Sequence, residues 1–150
     1  MSQAFASWMM PVSLRAATAG HIAREVEVPL VLIVDDDSAV RASLQYLLEA
    51  DGHVVLSAAN SDDARTLYDV HRPDIVITDL VMPGKEGIET IIAIRRRGIA
   101  TKILAMTGSD PADRPTYLDA AHKLGADAVV RKPFRAGELK TLVDGLLAPA

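Results

Sequence analysis

Hydrophobic and polar positions fall in alternating blocks along this chain. Leu30-Val31-Leu32-Ile33-Val34 is an unbroken apolar run closed by Asp35-Asp36-Asp37, the composition of a strand buried on both faces. The period then changes. Val40, Leu44, Leu47 and Leu48 recur at helical spacing behind Asp37 or Ser38 as cap, and Asp51-Gly52 ends the helix. His53 to Ser57 reads as a second, shorter strand. Asn60 or Ser61 caps a helix carrying Ala64, Leu67, Tyr68 and His71, and Pro73 marks its end. Ile75-Val76-Ile77 is a third buried strand, with Asp79 just after it and Met82-Pro83-Gly84 as its stop.

The second half repeats the alternation. Ile88, Ile91, Ile92 and Arg95 share a helix face that finishes in Arg95-Arg96-Arg97 and Gly98. Lys102 to Met106 is a fourth strand, closing on Thr107-Gly108. A polar loop from Ser109 to Pro115 leads into a helix through Leu118, Ala121, His122 and Leu124, stopped by Gly125. Ala128-Val129-Val130 is the fifth strand, followed by Arg131-Lys132-Pro133-Phe134. Leu139, Leu142, Val143, Leu146 and Leu147 then line the last helix.

Strands alternating with helices predict an α/β fold: a doubly wound, five-stranded parallel sheet. Helices near 38–51, 61–71, 86–97, 115–124 and 136–147 cover both of its faces. The basic run Arg95–Arg97 fits a solvated helix end that complements the helix dipole, with an anion site as the alternative. Residues 1–28 follow no period, so the folded domain is expected over 29–148. The extension reads as disordered or loosely packed. A docking segment built on Trp8 is the other reading, and Met9 or Met10 is a candidate start.

Composition narrows the classes. The 150 residues suit one domain, with 49% apolar and 24% charged positions. A net charge of −4 gives no reason to expect nucleic-acid binding, which usually shows a basic face. The absence of cysteine excludes disulfides, zinc–thiolate sites and thiol catalysis. No apolar run approaches the roughly 18 residues of a membrane span, so a cytoplasmic location is expected.

Chemistry gathers at the carboxyl ends of the strands, where parallel sheets bind ligands. The first strand ends in Asp35-Asp36, the third in Asp79, the fourth in Thr107 and the fifth in Lys132. Alone, each has a bland role: a cap, a turn former, a strand end, a surface lysine. Together in one cleft, three carboxylates repel unless a cation joins them. Oxygen ligands of this kind suit Mg²⁺. Lys132 and Thr107 suit the oxygens of a phosphate.

Over residues 30–147 the chain resembles the receiver domains of two-component response regulators. The residues that carry the likeness are Asp35-Asp36 after VLIV, Asp79 within ITDLVMPG, Thr107 after ILAM, and Lys132-Pro133-Phe134. The resemblance implies a flavodoxin-like sheet in the order 2-1-3-4-5. It implies that Asp79 accepts a phosphoryl group from a sensor histidine kinase or a histidine phosphotransfer protein. Asp35, Asp36, Asp79 and the backbone carbonyl of Val81 would hold Mg²⁺, Thr107 and Lys132 would bind phosphoryl oxygens, and the Lys132–Pro133 bond would be cis. The kinase would dock on the first helix, near Val40 and Arg41. With Ala150 as the last residue, the expected output is contact with a downstream protein, or onward phosphate relay.

Two departures from the family pattern stand out. Val129 occupies the place, three residues before the lysine, where many receivers carry a switching aromatic; Tyr117 is the nearby aromatic. The loop after Thr107 is longer than in the chemotaxis member. Two rival readings remain at this level. A phosphohydrolase of the haloacid-dehalogenase type would use Asp35-Asp36-Asp37, Thr107 and Lys132, but its further acidic pair is represented here only by Glu138 and Asp144 on a helix. A receiver-like binding module would act without phosphorylation.

Overall fold

The computed structural model describes residues 28–80, 82, 86–98, 100–108 and 114–149, for 86 and 114–118 the backbone alone. Its first strand, β1 (Leu30–Val34), is an inner strand buried at every residue. β1 is flanked by β2 (Val54–Ala58) and β3 (Ile75–Asp79), and β4 (Lys102–Thr107) and β5 (Ala128–Arg131) extend the sheet beyond β3. All pairings are parallel, in the order β2-β1-β3-β4-β5, as the resemblance implied. The chain leaves β1 toward β2, then crosses back to β3, so the direction of winding reverses between β1 and β3.

Strand alternation divides the apolar residues between two cores. Leu32, Val34, Val76, Ile103 and Ala105 face α2 (Ser61–His71), α3 (Glu86–Arg97) and α4 (Arg114–Leu124), where Tyr68, Ile91, Ile94 and Ala121 meet them. Val31, Ile33, Ile75, Ile77, Leu104 and Met106 face α1 (Ser38–Ala50) and α5 (Ala136–Leu147), packing on Leu44, Leu48, Leu139 and Val143. Both faces of the inner strands are therefore dry. Each fully buried leucine or isoleucine contributes about 1.5–3 kcal/mol.

Helix boundaries follow local chemistry. Asp37 caps α1, its Oδ1 accepting the amide of Ala39 at 2.8 Å, and Asn60 caps α2 by accepting that of Asp63 at 2.8 Å. Each cap is worth about 1 kcal/mol. α1 stops at Asp51, with Gly52 beyond it at φ 90°. α2 is closed one residue before Pro73, by Arg72 in the left-handed region at φ 48°. Its guanidinium lies 5.2 Å from the centre of the Tyr68 ring.

Four expectations need adjustment. β2 begins at Val54 and reaches Ala58, one residue later than His53–Ser57, because the His53 amide still bonds the Leu48 carbonyl of α1. Asp79 is the last residue of β3, paired with Met106, rather than lying beyond the strand. β5 runs on to Arg131, one residue beyond the expected Val130, so Lys132 follows it directly. The run Arg95–Arg97 is not simply solvated. Arg95 donates to the carbonyls of Gly125 (2.8 Å) and Thr101 (2.6 Å) and to Asp127 (2.7 Å), tying the loops before β4 and β5 to the end of α3. Arg97 pairs with Asp69 of α2 at 2.6 Å.

Candidate functional site

Register brings the acids together. Val34 of β1 sits beside Thr78 of β3, so the residues that follow, Asp35 and Asp79, come side by side. Asp79 pairs with Met106, which places Thr107 one residue farther out on β4. Thr107 in turn pairs with Arg131, and its carbonyl accepts the amide of Lys132 at 2.8 Å. The peptide from Lys132 to Pro133 is cis.

Lys132 bridges the two buried acids. Its ammonium donates to Asp35 Oδ2 at 2.8 Å and to Asp79 Oδ2 at 3.0 Å. Asp35 is fully buried and Asp79 nearly so, while Asp36 is exposed. Each of the three offers a carboxylate oxygen, all within 4.8 Å of one another. Burial opposes the charge on Lys132, but its hydrogen bonds to Asp35 and Asp79, and their charges, hold its pKa above the usual lysine value.

One ammonium does not balance three carboxylates. Two buried acids locked by a lysine, with a third open to solvent, make a donor set that fits a hard divalent cation retaining part of its water shell. The Thr107 hydroxyl stands at the end of the adjoining strand and donates to the Gly108 carbonyl at 2.9 Å. The predicted residues Asp35, Asp36, Asp79 and Lys132 are thus in one cluster, with Thr107 on its rim. Val81, the Tyr117 side chain, most of the loop after Gly108 and the Trp8 segment lie outside the described residues. Val129 is half-buried against the core on the α2, α3 and α4 side.

Two further residues shape the cluster: Gly87, not singled out from the sequence, and Arg41, named there only as part of a kinase-docking surface. Gly87, in the first turn of α3, lies against the backbone of Asp79 and Leu80 so closely that a Cβ has no room. A glycine inside a helix start is its sequence signal, since the position is otherwise unfavourable. Arg41 of α1 turns back to donate to the Asp35 carbonyl at 2.7 Å. Beside Lys132, an apolar groove of about 590 Å³ runs between α1 and the turn after β5, lined by Val40, Leu44, Leu47, Pro133 and Phe134.

A family model described as the response regulator receiver domain matches residues 31–144. The chain belongs to that family. Among similar proteins, the response regulator MprA of Mycobacterium sp. (strain KMS) is 38% identical over 118 residues, 78% of this chain and 50% of that protein. The alkaline phosphatase synthesis transcriptional regulatory protein PhoP of Bacillus subtilis is 31% identical over 118 residues, 78% of this chain and 48% of its own length. The chain spans about half the length of these curated relatives. Among solved structures, the chemotaxis response regulator CheY4 of Vibrio cholerae is 27% identical with a TM-score of 0.72, covering 80% of this chain and 99% of that one. A putative response regulator from Chloroflexus aurantiacus is 29% identical with a TM-score of 0.73, covering 82% and 100%. Among the described residues of this receiver, no helix is long and apolar enough to cross a membrane.

Proposed function

We propose that this receiver accepts a phosphoryl group on Asp79 from the phosphohistidine of a sensor histidine kinase or a histidine phosphotransfer protein. The observation that carries the reading is the Lys132 ammonium held between Asp35 and Asp79, with Asp36 as third acid. An Asp79 carboxylate oxygen forms a bond to phosphorus as the phosphorus–nitrogen bond to imidazole breaks. The departing imidazole takes up a proton, and Asp79 is left as an acyl phosphate. Lys132 neutralises charge on the transferring oxygens, and Thr107, once its hydroxyl leaves the Gly108 carbonyl, donates to one of them. Asp35, Asp36, Asp79 and the Val81 carbonyl would hold Mg²⁺, which supplies charge neutralisation to the phosphoryl oxygens. The groove beside α1 is adjacent to Lys132 and apolar, which suits docking of the donor protein. Output follows through altered protein contact or onward phosphate transfer, since the added charge draws the Thr107 loop inward.

Incubation with acetyl phosphate and Mg²⁺, followed by mass spectrometry, tests this reading. A single phosphoryl adduct on Asp79, absent in Asp79→Asn, is expected. A chain that stays unmodified and binds no beryllofluoride acts instead as a phosphorylation-independent binding module. Turnover of a generic phosphate ester would point to a phosphohydrolase; such an enzyme requires a further acidic pair on a strand after the lysine, whereas Glu138 and Asp144 lie on α5.

A further inference from the structure

Asp35 is held at every polar atom. Its amide donates to the Ala58 carbonyl at 3.1 Å, where the β1 ladder ends. Its Oδ1 accepts the Asp37 amide at 2.9 Å and its Oδ2 accepts Lys132. The carbonyl has left the sheet, and its partner is the Arg41 guanidinium at 2.7 Å, reaching back six positions from α1. Asp36 is the opposite case. It is exposed, and no side-chain hydrogen bond among the described residues holds its carboxylate. The constraint on where its side chain starts is the peptide that joins it to Asp35, whose oxygen Arg41 grips.

We infer that Arg41 is a positioning residue for the cation site: by fixing the Asp35–Asp36 peptide plane it aims the Asp36 carboxylate at the position shared with Asp35 and Asp79. The inference rests on the metal-dependent reading of this cluster. Freed from Arg41, the peptide turns about its flanking bonds, and a cation must then restore the geometry from its own binding energy. A second effect runs the other way. The guanidinium charge repels a divalent cation, so removing it would by itself tighten binding. Loss of positioning outweighs loss of repulsion, because the charge is directed at a carbonyl dipole and the peptide determines whether the third ligand is in place.

Mn²⁺ binding to the full chain, followed by electron paramagnetic resonance, separates these effects in wild type, Arg41→Ala and Arg41→Lys. Affinity should fall about tenfold in Arg41→Ala, and Arg41→Lys, which keeps the charge and one donor, should recover part of it. In the metal-free amide NMR spectrum, the Asp36 resonance should shift in Arg41→Ala and return toward wild type in Arg41→Lys. Arg41→Ala binding Mn²⁺ as tightly as wild type, or more tightly, overturns the inference. So does a lowered melting temperature with unchanged affinity, which would assign Arg41 to stability alone. Wild type that takes up no Mn²⁺ overturns the underlying metal reading instead.

Discussion

A Cβ on Gly87 would overlap the carbonyl oxygen of Asp79. The obstacle is backbone, since the Leu80 Cα lies 2.6 Å from the same point, so no side-chain rotation relieves it. α3 therefore closes against the strand that presents Asp79 only because this position lacks a side chain.

Gly87→Ala is accordingly expected to destabilise the fold by about 1–3 kcal/mol, the range for overpacking, even though alanine favours helix. Urea denaturation reads this directly. An unchanged midpoint would show that α3 moves away without cost.

Lys132 gives an alkaline signature. Its folded pKa lies above its ordinary value of 10.5. The ion pairs thus contribute stability that is complete below that ordinary value and disappears as pH rises through the folded pKa. Wild type should lose stability above about pH 10.5 more steeply than Lys132→Met, as followed by thermal melts across that range. Parallel curves would remove the charge pairing from the account.

Arg95 and Arg97 should differ sharply although both end α3. Arg95 is only 16% exposed and serves two carbonyls and Asp127, so Arg95→Met should cost about 2–3 kcal/mol. The Arg97–Asp69 pair is open to solvent, and Arg97→Met should cost no more than about 1 kcal/mol, a cost that shrinks toward zero in high salt. Asp69 is held below its ordinary pKa chiefly by its hydrogen bond from Arg97. That small contribution is present above the ordinary carboxylate range and fades as pH falls through the folded pKa. Equal losses at the two positions in denaturant titrations would contradict the distinction.

By resemblance to receivers, Val81, two residues after Asp79, takes the place of the side chain that meets the hydrolytic water. Valine cannot orient a water, so the acyl phosphate proposed on Asp79 should hydrolyse slowly to moderately, and Val81→Asn should shorten its lifetime severalfold. Decay of the phosphorylated form, timed after removal of acetyl phosphate, decides it. A lifetime unaffected by the substitution places the control elsewhere.

Much of this was legible before any coordinates. Short apolar runs such as Leu30–Val34 and Ile75–Ile77, with their β-branched residues, have the composition of strands covered on both faces. Their abrupt termination in acids marks the ligand-binding end of the sheet. Arg95 departs from a solvated helix end because helix position predicts where a long side chain starts but not which loop carbonyls lie within its reach. The close approach of Gly87 and the inward turn of Arg41 are hidden from the sequence for a similar reason. One depends on how near α3 approaches β3, the other on where α1 places a guanidinium relative to a strand end.

The sequence by itself determined the alternation of elements, the two-faced burial of the inner strands and the residue types at their carboxyl ends, because these are local consequences of period and polarity. Tertiary structure alone decided the register that sets Asp35 beside Asp79, the bridging of both by Lys132 and the grip of Arg41 on the Asp35 carbonyl. Those are contacts between residues far apart in the chain, and their distances depend on how strands pair and helices dock.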